Sequence, residues 1–249
     1  MWTRELIKNK AKKVLKINYW NAFLVSLVIA IVTSNNYINK KIDGNHMSII
    51  YDRMPVEVIS WTNKLLIFLG SIAIIIMILR VLVGYMLEVG GRKFFIKAAE
   101  GKNNKGYLGY CFKKDRYFGV LLTMLLRTIF ITLWTLLLII PGIIKTYAYS
   151  MVPYILADNP SIGAERAIQL SNEMTRGEKW NIFVLDLSFL GWYVLGALAL
   201  GIGVLFVNPY AYATHAELYL ILRKKAIESG KTSYEELNLL DNNIKYTNI

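Results

Sequence analysis

Six ionisable residues lie inside the long apolar runs of this 249-residue chain, and they are its best candidates for chemistry: Arg80, Glu88, Arg127, Lys145, Asp186 and Glu217. A charge at the centre of a membrane helix costs about 3 kcal/mol or more, so such residues usually pair with one another or line a path for ions, protons or solutes. A rise of about 1.5 Å per residue places Arg127 roughly 15 Å from Tyr117, and Asp186 roughly 9 Å from Trp180. A long arginine side chain can span that difference.

The positions of Arg127 and Asp186 along their helices predict a polar cluster in the inner half of a helix bundle. In this cluster Arg80 and Arg127 face Asp186, Glu88 and Glu217. A second interpretation stays open, in which these residues make structural contacts within the bundle or lie near the membrane surface, Lys145, Glu88 and Glu217 especially.

Other chemistry has little support. His215 and Glu217 are two residues apart and face different sides of a helix, which is not the spacing of a membrane metalloprotease. Ser150 and Ser188 lack an obvious base, and serines in such runs usually bond to their own backbone. The single cysteine, Cys111, excludes an intramolecular disulfide. We therefore expect no catalytic site, metal or cofactor, and no enzyme activity.

The positive charges show which elements must position these residues. Twenty-two of the 29 Lys and Arg residues fall in four polar stretches that alternate with apolar runs, namely Met1–Tyr19, Arg92–Tyr117, Asp158–Trp180 and Arg223–Ile249. This is the pattern of an integral membrane protein with its basic loops in the cytoplasm. The hydrophobic content of 55% agrees, and the net charge of +12 flanks membrane segments and does not indicate nucleic acid binding.

A membrane span needs about 20 apolar residues, with some latitude at its ends. The chain is accordingly predicted to be an all-α membrane protein with about six transmembrane helices and with both termini in the cytoplasm. Residues 1–222 form a single membrane domain, and 223–249 form a polar cytoplasmic tail. No cleavage site follows the first apolar run, so we expect an uncleaved span. The six spans are 20–34, 65–90, 118–140, 143–157, 182–207 and 210–222.

Two proline pairs decide this count. Pro141-Gly142 and Asn208-Pro209 could each kink one long helix or turn a hairpin. A kink would move the following basic stretch to the outer face, against the charge rule. Hairpins at both sites are therefore predicted.

The polar stretches have features of interfacial helices. Leu6, Ile7, Val14 and Leu15 recur at helical spacing among lysines, as in an amphipathic helix in the headgroup region. Aromatic residues follow three of the stretches and are predicted to anchor the interface. They are Trp20, Tyr117 and Trp180, and they suggest a threefold repeat of a surface helix followed by a hairpin.

The motifs from the third span onward resemble a known family. They are Pro141-Gly142-Ile143-Ile144-Lys145, Tyr154-Ile155-Leu156-Ala157-Asp158-Asn159-Pro160, Ser171-Asn172 to Gly177, Leu187-Ser188-Phe189-Leu190-Gly191-Trp192 and Asn208-Pro209-Tyr210. Together they resemble a bacterial membrane family, common in Firmicutes, that is catalogued as the domain of unknown function numbered 975. That family is distantly similar to the membrane domain of some glycerophosphodiester phosphodiesterases. The resemblance implies helices that cross a bacterial plasma membrane, and it supplies no reaction and no catalytic residue.

The leading functional hypothesis is a non-enzymatic membrane protein that acts through lipids or partners. It could be a transporter accessory, an envelope stress factor or a protein that protects the cell against membrane-active peptides. Anionic lipids of the inner leaflet are the expected lipid partners, with a membrane protein or peptide as a further partner. The alternative is a transporter of ions or small solutes that uses the intramembrane charges. A membrane-embedded lipid enzyme has the least support.

Overall fold

The structure is a computed structural model, and it describes residues 2–33, 56–198 and 202–240. These residues are helical and contain no strand, which confirms an all-α fold for the described part of the chain. Residues 35–55, which form most of the loop expected between the first and second predicted spans, lie outside these ranges. The helices are α1 (Arg4–Thr33), α2 (Val56–Leu79), α3 (Tyr85–Ala99), α4 (Lys114–Leu137), α5 (Ile139–Ala148), α6 (Val152–Asp158), α7 (Ala164–Met174), α8 (Lys179–Leu198) and α9 (Ile202–Glu228). A π-helical turn, Arg80–Gly84, joins α2 to α3, and a 3-10 turn, Tyr107–Phe112, precedes α4.

Within the described ranges, three helical stretches are long and apolar enough to cross a membrane. A fourth is added if α1 counts as one broken span, because its halves Arg4–Ile17 and Tyr19–Ala30 meet at an angle of 107°. Their apolar side chains face outward, as Ile67 of α2 does with 73% of its surface exposed. Such exposure suits contact with lipid tails. The three stretches are Asn63–Ala99, Lys114–Leu137 and Lys179–Leu198, and they contain most of the predicted second, third and fifth spans.

The predicted fourth span, 143–157, is wrong. Helix α4 ends at Leu138, which is extended (φ −156°, ψ 136°), and α5 starts at the next residue and returns beside α4. Pro141 occupies the third position of α5, where its missing N–H costs no helical hydrogen bond. Gly142 lies against Thr135, so a side chain there would collide with α4. The chain turns again after Ala148, and neither α5 nor α6 is long enough to cross a bilayer alone.

The predicted fifth and sixth spans, 182–207 and 210–222, have the wrong boundaries. Helix α9 runs through both Asn208 and Pro209, so the chain does not turn there. A proline removes only one backbone hydrogen bond, and a helix that packs against neighbours tolerates that loss.

Helix α8 ends at Leu198, and α9 starts at Ile202. Two glycines let these helices approach closely, because a Cβ atom on Gly196 would lie 2.7 Å from the backbone nitrogen of Val204 and 2.8 Å from the carbonyl carbon of Gly203. The two helices therefore pack against each other, and the boundary between them lies several residues earlier in the chain than predicted.

The first half of α1 buries part of its apolar surface against protein. Ile7, Ala11 and Leu15 are buried, and α1 packs mainly against α9. Lys8 donates a hydrogen bond to the hydroxyl of Ser188 on α8, at 2.7 Å. The helix therefore presents lysines to its surroundings and keeps its apolar stripe inside the molecule.

The predicted polar tail is partly structured. Arg223 to Glu228 complete α9, and the residues after it fold back on the protein. Leu237 is fully buried, and the guanidinium of Arg166 on α7 binds the Glu236 carboxylate at 2.6 Å. We call Lys231–Leu240 the C-terminal segment. Residues 241–249 lie outside the described part of the chain.

Buried and exposed apolar residues divide the molecule into two parts. The tightly packed part contains the end of α3, α6, α7 and the second half of α9, with Phe95, Leu156, Leu170 and Tyr219 among its buried side chains. The other part consists of α2 and the distal portions of α4 and α8, whose large apolar side chains are exposed. The polar site described below lies between these two parts.

The predicted interfacial aromatics differ in their surroundings. Trp20 and Trp180 are 70% and 71% exposed, so both can reach a lipid interface. Tyr117 instead donates its hydroxyl proton to the carbonyl oxygen of Leu82 at 3.0 Å, inside the π-helical turn. Anchoring by these residues stays a prediction.

Candidate functional site

A polar cavity of about 320 Å³ lies among α3, α4, α5, α6, α8 and α9. It is lined by three of the five residues predicted to form the intramembrane cluster, Glu88, Arg127 and Asp186. Small-molecule pockets in proteins usually measure about 300 to 1,000 Å³, so the cavity can hold a small ligand.

Arg92 of α3 occupies one wall of the cavity between two aromatic rings. The centre of its guanidinium lies 4.5 Å from the ring centre of Tyr212 and 5.2 Å from that of Tyr154. It donates hydrogen bonds to the Tyr154 hydroxyl at 3.3 Å and to the Glu88 carboxylate, one helical turn away, at 3.5 Å. The rings and the carboxylate together compensate this partly buried charge. Arg92 was not predicted here because it opens a basic stretch assigned to the cytoplasm.

Arg127 of α4 faces the cavity with most of its donors unused. Its Nε atom donates to the carbonyl oxygen of Tyr149, in the turn between α5 and α6, at 2.9 Å. Within the described residues it makes no other hydrogen bond and has no carboxylate oxygen within 4.0 Å. A guanidinium carries five N–H donors, so its terminal nitrogens remain available to a ligand. Arg127 thus lies in the predicted cluster, but its direct partner is a carbonyl group and not a carboxylate.

Asp186 of α8 makes a hydrogen bond with a histidine that the sequence did not predict. Its carboxylate lies 2.7 Å from Nε2 of His215 on α9. The pair follows from the antiparallel register of the hairpin, in which Tyr193 also donates to Asn208 at 3.3 Å. The predicted turn at Pro209 put His215 at a different depth in the membrane from Asp186. A turn near residue 200 would have put the two side chains opposite each other.

The other predicted members lie outside the cavity. Arg80 belongs to the π-helical turn, and Glu217, which is 5% exposed, borders a separate groove lined by lysines of α1 and α9. Lys145 places its ammonium group over the ring of Trp134, 5.0 Å from the ring centre. Arg80, Lys145 and Glu217 therefore do not line the cavity.

The cavity offers binding groups and no activated nucleophile. Ser150, which lines it, donates its hydroxyl proton to the carbonyl oxygen of Tyr147 at 2.8 Å. In the described part of the chain, no group of three or more His, Cys, Asp or Glu side chains is arranged to hold a metal ion. The site can therefore bind an anion through Arg127 and a cation through Asp186, which is 38% exposed.

Comparison with known proteins gives one match. Residues 135–226 match the model of a family described as protein of unknown function (DUF975). Neither the curated proteins nor the solved structures give a match. The matched segment runs from the end of α4 to α9, and it includes Tyr154, Asp186, Tyr212 and His215 of the cavity. The match confirms over residues 135–226 the resemblance to the DUF975 family that the motifs between Pro141 and Tyr219 indicate.

Proposed function

We propose that the protein is a non-enzymatic membrane protein of the bacterial plasma membrane that acts by binding. Its cavity takes a small ligand or lipid headgroup with an anionic group, and its lysine-bearing surface contacts anionic lipids of the inner leaflet. In the proposed topology both termini lie in the cytoplasm, and the membrane helices include the second half of α1, α2–α3, α4 and α8. The basic residues near the cytoplasmic ends of these helices support this topology.

The observation that carries the proposal is the arrangement of Arg127. Arg127 is partly buried, and a guanidinium shielded from water is usually compensated by a carboxylate, because an unpaired charge is costly away from water. Arg127 lines the cavity and has one carbonyl partner within the described residues. Its terminal nitrogens are spaced to bind two oxygens of a phosphate or carboxylate group.

The negative charge of Asp186 in the same cavity restricts the class of ligand that can bind. The Asp186 carboxylate lines the cavity, is partly exposed and lies 2.7 Å from Nε2 of His215. A zwitterion with a phosphate and an amine satisfies Arg127 and Asp186 together. Glycerophosphoethanolamine, the soluble form of a common bacterial headgroup, has this chemistry and is small enough to test in a cavity of about 320 Å³.

Binding can be measured by titrating glycerophosphoethanolamine into the purified protein in nanodiscs of phosphatidylcholine. We expect Arg127→Gln to weaken binding at least tenfold, since a hydrogen bond to a charged group contributes about 1.5 to 3 kcal/mol. Arg116→Gln is the matched control, because Arg116 lies on the same helix, bonds to the carbonyl oxygen of Tyr110 and lies outside the cavity. Equal affinities of the two variants, at equal melting temperatures, would exclude the cavity as the binding site.

A second candidate, transport of a small solute or ion, is favoured by the break at Leu138. Helix α5 is a ten-residue half-helix that ends at the cavity, and broken helices often line transport sites. Proteoliposomes loaded with labelled glycerophosphoethanolamine distinguish the two functions. Efflux that Asp186→Asn abolishes, with expression unchanged, indicates transport, whereas binding without efflux supports the first proposal.

A further inference from the structure

A second cavity, of about 440 Å³, is lined by Asp158 at the end of α6, whereas the first cavity is lined by Pro153 and Tyr154 near the start of this helix. The walls of the second cavity are the end of α3, the end of α9 and the C-terminal segment. We call it the basic cavity, because its lining includes five cations and two carboxylates, a formal charge of +3. The cations are Lys93, Lys97, Lys102, Arg223 and Lys224.

The two carboxylates of the basic cavity already accept hydrogen bonds from side chains of the protein. Asp158 accepts hydrogen bonds from Arg223 and from the Tyr219 hydroxyl, each at 2.8 Å. Glu100 accepts from Arg223 at 2.7 Å and from Lys97 at 2.9 Å. Both acidic groups therefore pair with Arg223, and the lysines of the cavity keep unused donors.

The lysines keep the capacity to bind an anion. Lys102 contacts Glu100 only at 3.6 Å and is 57% exposed, and Lys97 uses one of its three ammonium protons on Glu100. Lys93, at 8% exposure, donates to the carbonyl oxygen of Ala157 at 2.7 Å, and in the described part of the chain no carboxylate oxygen lies within 4.0 Å of its ammonium group. The electrostatic potential of the cavity is thus positive from its floor to its rim.

The C-terminal segment forms the remaining wall. Tyr234, Leu239 and Leu240 line the cavity from this side. The segment is held by Glu236, whose carboxylate binds Arg166 at 2.6 Å and 3.1 Å and whose carbonyl oxygen accepts from Asn159 at 2.9 Å. A bound group would therefore be enclosed by the docked segment.

We propose that the basic cavity binds a phosphate monoester, with Lys97 and Lys102 as its principal contacts and the C-terminal segment as its closing wall. Lysines bind phosphate as compact charges with several donors, and the volume suits a ligand of the size of glycerol 3-phosphate. The phosphate belongs either to a soluble metabolite or to the headgroup of a phosphatidic-acid-type lipid. This site is independent of the cavity that contains Arg127.

The full-length protein in phosphatidylcholine nanodiscs is titrated with glycerol 3-phosphate by calorimetry. In parallel, native mass spectrometry measures retention of phosphatidic acid by protein from discs that contain this lipid. Binding of glycerol 3-phosphate identifies a soluble ligand, and retention of phosphatidic acid alone identifies a headgroup. Failure of both overturns the proposal.

Variants locate the binding. We expect Lys97→Gln with Lys102→Gln to weaken binding at least tenfold. Lys105→Gln with Lys113→Gln should change it less than twofold, since both are exposed lysines outside the cavity. Glu236→Gln keeps every cavity lysine but loosens the wall, and it should weaken binding by an intermediate factor. Equal affinities of the two double variants would place any bound phosphate elsewhere.

Discussion

Replacing Arg223 by glutamine tests whether the buried ion network stabilises the cytoplasmic half of the molecule. Arg223 is 14% exposed and binds Asp158, which is 1% exposed, and Glu100, which is 13% exposed. Burial raises the pKa of Asp158, but hydrogen bonds from Arg223 and Tyr219 oppose that rise. Without Arg223, Asp158 keeps only Tyr219, whereas Glu100 keeps two lysines.

The expected cost follows from this asymmetry. Removing one partner of a buried ion pair costs about 3 to 5 kcal/mol, and we expect the lower value because Glu100 remains compensated. For a chain of this length about 3 kcal/mol corresponds to a fall of roughly 6 to 12 °C in the melting temperature. Tryptophan fluorescence during heating in detergent at pH 7 measures this shift.

The neighbouring Lys224 provides a control with the same change of net charge. It is 76% exposed and lies 3.8 Å from Glu228, so Lys224→Gln should change stability by less than about 0.5 kcal/mol. Adding Asp158→Asn to Arg223→Gln removes the unpaired carboxylate and should recover part of the loss. The reasoning fails if the two single variants melt together, or if the added Asp158→Asn lowers the melting temperature further.

Three further predictions concern other parts of the fold. Hydrogen bonds from Arg166 lower the pKa of Glu236 below its ordinary value of about 4.5, so the C-terminal segment is stabilised above that pH and should exchange its amide protons faster as the pH falls below it. Glu236→Gln should remove this pH dependence. Gly196→Ala should cost about 1 to 3 kcal/mol by overpacking the α8–α9 hairpin, whereas Gly191→Ala, which has open space around it, should not destabilise the protein. Burial raises the pKa of Cys111 to about 12, so maleimide at pH 8 should label the native protein more than about a hundredfold more slowly than the unfolded chain, and prompt labelling would contradict the buried position.

The charge pattern predicted much of the helical architecture, because an apolar run flanked by basic residues can be recognised from neighbouring residues in the sequence. The second predicted span lies within, and most of the third lies within, helical stretches that are long and apolar enough to cross a membrane. The hairpin turns were placed less well, since a proline within a helix cannot be distinguished from a proline at a turn by sequence alone. Pro209 lies inside α9, and the turn depends on the contact between Gly196 and Gly203. Such a contact is a property of two packed helices and has no local signal.

The candidate site was predicted in part for the same reason. Glu88, Arg127 and Asp186 stand out because each is ionisable within an apolar run. Arg92 and His215 contribute through tertiary pairing, which a span-by-span interpretation does not include. Correcting the α8–α9 turn would have recovered His215, whereas Arg92 required the position of α6.

Helix α6 explains how so many charges are held inside such an apolar protein. Tyr154 and Asp158 are four residues apart and therefore lie on the same face of this helix. Tyr154 accepts a hydrogen bond from Arg92 at the first cavity, and Asp158 binds Arg223 at the basic cavity. The ring of Tyr219 stacks on Tyr154, 5.4 Å between centres, and its hydroxyl binds Asp158. Arg92 and Arg223 therefore each have both a carboxylate and an aromatic neighbour, which divides the cost of burying the charge between ionic and cation–π contacts. Helix α6, whose seven residues are all buried, supplies one of these partners to each arginine: Tyr154 to Arg92 and Asp158 to Arg223.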